Sequence, residues 1–293
     1  MKIIQTLKLL WRSILAIHES KITFYHGNQK LINENKYDCL FRYCSKQDVE
    51  LLFFDSEKEL LYLKKDGITV VVNEYYSIYI EVLINKVYTL PPQVNSNFCV
   101  FDIGMNKGYA SLFFANHPNC TKVFGFELDK NIYEKALQNF AFNETLSAKI
   151  TSYNFGLWNV DDELDIFYGE KDWRTGITSC VNEQPCLTKL VQDQKHKDIH
   201  KATVKKSSDV FATILSEINV NEKKIMKIDI EGAEYAVFED LYKHGILQQF
   251  DVIIGECHNG IAELEKYLGD FICVNKNSAF GLITFCFINK NLI

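Results

Sequence analysis

A doubly wound α/β domain with a mainly parallel sheet is the fold class the sequence predicts, and three observations predict it. From residue 98 onward, apolar strand-like runs alternate with segments of helical periodicity. The run from Phe98 to Ile103 passes directly into a loop carrying Gly104 and Gly108 and then into a helix, the opening of a ligand site at the carboxyl edge of a sheet. The last two runs, "FICVNK" and "LITFCFINK", follow one another without a helix, so one of them runs antiparallel as a terminal hairpin.

The elements follow in order. In "MKIIQTLKLLWRSILAIHESK", Ile3, Ile4, Leu7, Leu10, Trp11, Ile14 and Leu15 line one helical face, with Lys2, Lys8 and Arg12 elsewhere. Polar residues interrupt this apolar stretch and no small-residue cleavage site follows, which argues against a signal peptide. Two uses remain open for residues 1–18: docking on the chain's own domain or a second copy in a homo-oligomer, or lying on a membrane surface as a basic amphipathic helix. Short β-like runs come next, "KITFYH", "LLYLKKDGITVVVNEYY" and "YIEVLINKVYTL", with Asp66-Gly67 marking a two-residue hairpin turn. Pro91-Pro92 and "QVNSN" form a stiff break, so the predicted division is an N-terminal helix and β-rich region over 1–95 and the main domain over 96–293.

Within the main domain, strand 98–103 leads to helix 108–117, and strand 122–128 to helix 130–143. "KITSYNFGLW" and "ELDIFYGE" read as strands, and the polar stretch 170–205 as an irregular excursion over one end of the sheet. "KKIMKIDIEG" is the next strand, 233–245 a helix, "FDVIIGECH" a strand, and 260–269 the last helix before the hairpin. Composition bounds the function. A net charge of −6, from 32 basic and 38 acidic side chains, argues against a nucleic-acid partner. Nine cysteines with no CxxC pair and no zinc spacing fit a reducing cytoplasm, with its membrane face as the alternative location. No apolar run is long enough to span a bilayer.

The glycine loop narrows the ligand. Gly104-Met105-Asn106-Lys107-Gly108 lacks the G-x-G-x-x-G spacing that brings a backbone against a pyrophosphate. Asp102, at the strand end, would repel a pyrophosphate and suits a ligand carrying an ammonium group and a positive sulfur. Glu127, in "GFELD", ends the second strand, where an acid accepts hydrogen bonds from ribose hydroxyls. Together the two acids favour S-adenosylmethionine over a nicotinamide dinucleotide.

"VFDIGMNKGYASLFFA", "FGFELDKNIYEKALQNFAFN", "NFGLW", "MKIDIEGAEYAVFEDL" and "IIGECH" resemble, in order, the blocks of the FkbM-type S-adenosylmethionine-dependent methyltransferases over about residues 98–260. "DGITVVVNEYYSIYIEVLINKVYTL" looks like the segment that precedes the core in many members. The resemblance implies a Rossmann-like, seven-stranded class I methyltransferase sheet and O-methylation of sugar hydroxyls in bacterial surface glycans or of secondary metabolites. For the cofactor it implies Asp102, Gly104, Asn106, Gly108, Ser111, Glu127, Leu128 and Asp229, and topology adds Asn154, Phe155 and Gly156 beside the adenine. Asp209, where the family carries a Thr-Leu-Asp block, follows Ser207-Ser208 here and reads as a helix cap.

Methyl transfer to a hydroxyl needs a proton acceptor or a metal. Strand alternation puts Lys227, Asp229 and Glu231 on one side, and Glu256 and His258 likewise share a side. Asp229, Glu256 and His258 are the expected catalytic trio, with His258 or Asp229 the base and His258 favoured for its near-neutral ordinary pKa. Alternatively the same three hold a divalent cation such as magnesium. Lys227 reads as an internal partner for a carboxylate, and Glu231 and Glu234 as charges capping the next helix. In the excursion, Trp173, Arg174, Thr178 and Ser179 suit a sugar ring bearing an acidic group, with Trp173, Arg174 and Ser179 the expected acceptor contacts. The competing readings are methylation of a secondary metabolite or RNA, and a catalytically silent scaffold that binds the cofactor.

Overall fold

The computed structural model describes residues 23–26, 29–32, 37, 40, 44, 47–55, 57–73, 76–167, 199–258, 260–279 and 282–293. The chain divides into two compact units, Met1–Val87 and Tyr88–Ile293. In the first, β1 (Thr23–His26) and β2 (Gln29–Ile32) form an antiparallel pair. A three-stranded antiparallel meander follows from β3 (Val49–Asp55), β4 (Leu60–Lys65) and β5 (Ile68–Val72). Its β4–β5 turn is Asp66-Gly67, both with positive φ (50° and 85°), the conformation a two-residue turn between twisted strands demands. Ile68, Val70 and Val72 alternate with half-buried neighbours, so β5 covers a core on one face only. The run "YIEVLINKVYTL" departs from its expected β character: Ser77–Tyr79 is α-helical and Ile80–Ile84 continues as a wider π turn. Its β-branched residues suggested a strand, but Tyr79, Ile80, Val82, Leu83 and Ile84 are buried by a helical backbone, and tertiary packing overrides the propensity.

The second unit contains β6 (Phe98–Ile103), α1 (Tyr109–Ala115), β7 (Cys120–Phe126), α2 (Lys130–Ala141), β8 (Ile150–Tyr153), β9 (Gly156–Trp158) and β10 (Asp162–Phe167). It continues with β11 (Ile199–Lys206), α3 (Ser207–Leu215), β12 (Lys223–Ile228), α4 (Glu234–Lys243), β13 (Val252–Cys257), β14 (Phe271–Ala279) and β15 (Leu282–Asn289). Seven strands make the main sheet in the order β14-β15-β13-β12-β6-β7-β8. β13, β12, β6, β7 and β8 are parallel, while β15 runs antiparallel to both β13 and β14, giving the terminal hairpin that the missing helix predicted.

β6 is buried at every position, as befits a central strand covered on both faces. Its Cys99, Phe101 and Ile103 join Met226, Ile228 and Ile253 beneath α3 and α4. The Phe101 ring lies 4.9 Å from Phe211 and meets Phe250 edge-on at 5.4 Å. By alternation Asp102 points to the opposite face, toward α1.

Three boundaries differ from expectation. "KITSYNFGLW" is two strands in two sheets, because the chain turns at Asn154-Phe155 and β9 pairs with β11 in a small β10-β11-β9 sheet. β11 itself lies in the stretch expected to be irregular; its Lys-rich alternation pairs with β10 over six positions. The helix expected over 260–269 is reduced to Ala262–Glu265. Asp209 is also not the cap of α3, which starts at Ser207. The buried Ser208 N–H is satisfied from α4 instead, by Asp240 Oδ2 at 2.7 Å. The predicted N-terminal helix over residues 1–18, and Trp173, Arg174, Thr178 and Ser179, lie outside the described residues. Among the described residues no helix is long and apolar enough to cross a membrane.

Gly255 sets the closeness of β12 and β13: a Cβ there would fall 1.9 Å from the Ile228 carbonyl oxygen. Gly255→Ala is expected to destabilise the domain by about 1–3 kcal/mol through overpacking, read from the midpoint of urea unfolding.

Candidate active site

The site forms where β6, β7 and β12 end. Gly104 and Gly108 both have φ of +79°, a region costly for side-chain-bearing residues. At Gly104 a Cβ would also lie 2.0 Å from the Asp229 carbonyl oxygen, so the loop after β6 and the loop after β12 touch backbone to backbone. At Gly108 a Cβ would strike the Phe140 ring at 2.6 Å, which fixes how α1 enters. The Gly104 and Met105 N–H groups donate to the Phe126 carbonyl at 3.1 and 2.8 Å, tying the loop to the end of β7. Asn106 holds φ of 51° and donates its N–H to Glu127 Oε2 at 2.8 Å.

Glu127 also accepts the Asp129 N–H, through Oε1 at 2.8 Å. Burial pushes its carboxyl up to about 7, against the pull of these two N–H donors. Each oxygen keeps a second lone pair, which is what a pair of ribose hydroxyls requires. Beside it, Asn154 Nδ2 donates to the Glu127 carbonyl at 2.9 Å and to the Leu128 carbonyl at 3.3 Å. Gly156 lets the Leu128 side chain come close, since a Cβ there would meet Leu128 Cδ1 at 3.0 Å. The Phe155 ring packs on Tyr153 at 5.4 Å with Lys205 Nζ 4.5 Å from its centre. Glu127, Leu128, Asn154, Phe155 and Gly156 are therefore brought together, and a glycine-lined cradle beside a buried acid with spare lone pairs fits an adenosine.

Asp102 is placed differently from the expectation that it faces the ligand's positive charge. It is fully buried, its Oδ2 accepts the Ser111 hydroxyl at 2.6 Å, and its Oδ1 lies 3.2 Å from Lys227 Nζ. The cause is register: Asp102 and Lys227 are direct neighbours across β6 and β12. Ser111, expected at the cofactor, is likewise buried under the loop. Lys227 donates as well to the Gly104 carbonyl at 2.7 Å and sits 5.3 Å from the centre of the Tyr88 ring. Burial opposes its charge, but the carboxylates of Asp102, Asp229 and Glu256 outweigh burial and hold its pKa above the ordinary value.

The acidic trio is corrected in one member. Asp229 and His258 do converge, with Asp229 Oδ1 3.9 Å from His258 Nε2. The third group is Glu231, whose Oε2 lies 3.2 Å from Nε2, and not Glu256. Strand alternation holds only within a strand, and β12 stops at Ile228. Glu231 then adopts φ of 53°, which turns its carboxylate back toward His258. Glu256 stays on the sheet, paired in register with Thr284 and buried on the Lys227 face. Among the described residues, Asp229, Glu231 and His258 are the titratable side chains whose ligand atoms gather within 4.8 Å.

His258 does not have the near-neutral pKa that favoured it as base. Burial alone would depress it, but the hydrogen bond from Nδ1 to the fully buried Glu234 (2.9 Å) and the charges of Glu231, Glu234 and Asp229 raise it to about 9. These neighbours favour the protonated imidazole and so disfavour His258 as the proton acceptor, while burial pushes the Glu231 carboxyl up to about 8. Glu234 does more than cap a helix: its Oε1 also accepts the Ile230 N–H at 3.1 Å, bracing the loop. Sequence reasoning missed Tyr88, whose hydroxyl donates to Asp229 Oδ2 at 3.2 Å while its ring packs on Phe114. No local spacing signals it, because 141 residues separate the pair.

Replacing Lys227 by Met leaves the buried Asp102 carboxylate without its counter-charge. The expected loss is about 3–5 kcal/mol of unfolding free energy, measured by chemical denaturation.

The chain was compared with known proteins. A family model described as the methyltransferase FkbM domain matches residues 102–277. No curated protein matches the chain. Among solved structures, it is similar to Streptococcus pneumoniae Sp1610, assigned as a tRNA (m1A22) methyltransferase, at 12% identity. For that protein bound to S-adenosyl-L-methionine the TM-score is 0.40, with 73% of this chain and 72% of that one covered. Against a second structure of Sp1610 the TM-score is 0.38, and the chain spans 65% of that protein's length. It is also similar to M. capricolum TrmK with S-adenosyl-homocysteine, at 12% identity and a TM-score of 0.38, covering 71% of this chain and 67% of that one. Methyltransferase FkbM from Methylobacillus flagellatus KT is 14% identical with a TM-score of 0.40, and 66% of this chain covers 43% of it. These likenesses are weak, and the assignment rests on the family model. Because that match takes in more than half of the chain, the glycine loop and the imidazole cluster together, the chain belongs to the FkbM family of S-adenosylmethionine-dependent methyltransferases.

Proposed function

We propose that the protein is an O-methyltransferase whose acceptor is a sugar hydroxyl, in a bacterial surface glycan such as capsule or lipooligosaccharide, or in its nucleotide-linked precursor. The observation that carries this reading is Asp229, a partly exposed carboxylate beside the glycine loop, oriented by Tyr88 and flanked by the His258 imidazole. A sugar hydroxyl is a poor acid, so its methylation calls for a held proton acceptor of this kind. S-adenosylmethionine supplies an already electrophilic methyl group. The chain's own residues bind, align and manage the proton. Glu127 receives the ribose hydroxyls, and the Gly104–Gly108 loop shapes the cradle. As the acceptor oxygen bonds to the methyl carbon and the carbon–sulfur bond breaks, Asp229 takes the hydroxyl proton and S-adenosylhomocysteine leaves. Tyr88 holds the Asp229 carboxyl in place through Oδ2, and His258 stands beside Oδ1. Trp173, Arg174 and Ser179 remain acceptor contacts on sequence grounds, and we place the reaction in the cytoplasm.

The deciding experiment incubates the protein with methyl-labelled S-adenosylmethionine and separate pools of envelope glycan, nucleotide-linked sugars, small metabolites and RNA. Label in a glycan or sugar pool supports the reading; label confined to RNA or to non-sugar metabolites removes it. With the acceptor in hand, Asp229→Asn is expected to keep S-adenosylhomocysteine affinity and lose at least about 100-fold in turnover.

A pH dependence follows from Glu127. Its ionised form is the acceptor of ribose hydroxyls and predominates only above about 7, so affinity rises with pH. Between pH 6 and 8, calorimetry should show S-adenosylhomocysteine binding strengthen about tenfold, the ratio of ionised fractions for one group titrating at about 7, and Glu127→Gln should flatten the curve.

A further inference from the structure

Three carboxylates surround one imidazole at the mouth of the site. Glu234, fully buried, takes Nδ1 at 2.9 Å. Glu231 and Asp229 both approach Nε2, at 3.2 and 3.9 Å. Nε2 bears one hydrogen at most, so the imidazole alone can bond to one of these two carboxyls and not to both.

The spacing is that of ligands gathered around one ion. The ligand atoms of Asp229, Glu231 and His258 all lie within 4.8 Å of one another. Around a six-coordinate cation with bonds of about 2.1 Å, donors stand about 3.0 Å apart when adjacent and about 4.2 Å when opposite. The two measured separations from Nε2 fall in that interval. The surroundings match as well. A histidine that ligates a metal through one ring nitrogen characteristically gives the other to a carboxylate, which fixes the ring, and Glu234 occupies that position. Tyr88 secures Oδ2 of Asp229 and leaves Oδ1 facing the cluster. Asp229 and Glu231 are 29% and 24% exposed, which leaves coordination positions open to water or an acceptor oxygen.

We propose that Asp229 Oδ1, Glu231 Oε2 and His258 Nε2 hold one divalent cation of the manganese class. Two carboxylates with one imidazole suit manganese better than magnesium, whose preference is for oxygen donors alone. On Nε2 the cation stands where a proton otherwise would, because a ligating imidazole must be neutral. The proposal rests on the methyltransferase reading for its purpose, which is to stabilise the negative charge growing on the acceptor oxygen, but the binding itself needs no acceptor.

The test uses the full chain, stripped with chelator and titrated with MnCl2, following the free-ion signal by electron paramagnetic resonance. The expected result is one ion taken up per chain. Glu231→Gln and His258→Gln should each weaken uptake by at least about tenfold, and Glu234→Gln by about 10–100-fold. Glu256→Gln, on the adjacent strand but outside the cluster, should stay within about twofold. Binding of S-adenosylhomocysteine, measured on every variant by calorimetry, shows that the fold survives and judges the methyltransferase reading separately. Uptake lost in variants that still bind S-adenosylhomocysteine establishes the site. A wild-type chain that binds S-adenosylhomocysteine yet leaves the manganese signal unchanged overturns it. So does uptake retained at wild-type strength by both Glu231→Gln and His258→Gln.

Discussion

The ion pair between Lys227 and Asp102 is the constraint on which the rest of the domain depends. Both groups are buried on the two central strands of the main sheet, and their side-by-side register makes them a direct ion pair. Isolated, either charge would be expensive in an apolar interior; together, with the Ser111 hydroxyl on Asp102 and the Gly104 carbonyl on Lys227, they are tolerated. Such a pair contributes little net stability compared with a well-packed apolar one. What it does supply is geometry. The ammonium group fixes the first carbonyl of the glycine loop, and the loop in turn lies against the backbone of Asp229. One buried cation thus sets the distance between the glycine loop and the loop that carries Asp229.

The division of labour between faces follows from the same sheet. Beneath α3 and α4 the strands present Phe101, Met226, Ile228 and Ile253 to an aromatic core with Phe211 and Phe250. On the other face the strands carry Asp102, Lys227 and Glu256, and the chemistry is built at their carboxyl ends. Parallel strands bring those ends to one edge, so residues far apart in the chain gather without any long-range sequence pattern. Tyr88 and Asp229 illustrate this, as do Glu231 and His258.

What was legible in the sequence was local. The strand–glycine–helix unit at 98–115 and the closing hairpin each depend on a pattern within about twenty residues, and each is present. Where pairing decides, the sequence is mute. The Lys-rich alternation of 201–206 reads as a solvated stretch until β10 and β9 flank it. Asp102 looked like a ligand for a positive cofactor because its partner in register, Lys227, lies 125 positions away by number and only the sheet brings them together. Glu231 reads locally as a cap for the next helix, and only the turn of the backbone after β12 brings its carboxyl to His258. The ordinary pKa of His258 was a poor guide for the same reason: the burial and the three carboxylates that shift it come from the fold.

Glu231 has one further implication. Its backbone occupies a left-handed conformation that glycine would enter without penalty, and Gly232 follows immediately. A residue kept where a smaller one would relax the chain is strain tolerated for the sake of its side chain. Any effort to make this protein hardier by replacing awkward residues with comfortable ones would choose position 231 early, and would trade a working pocket for a more durable shell.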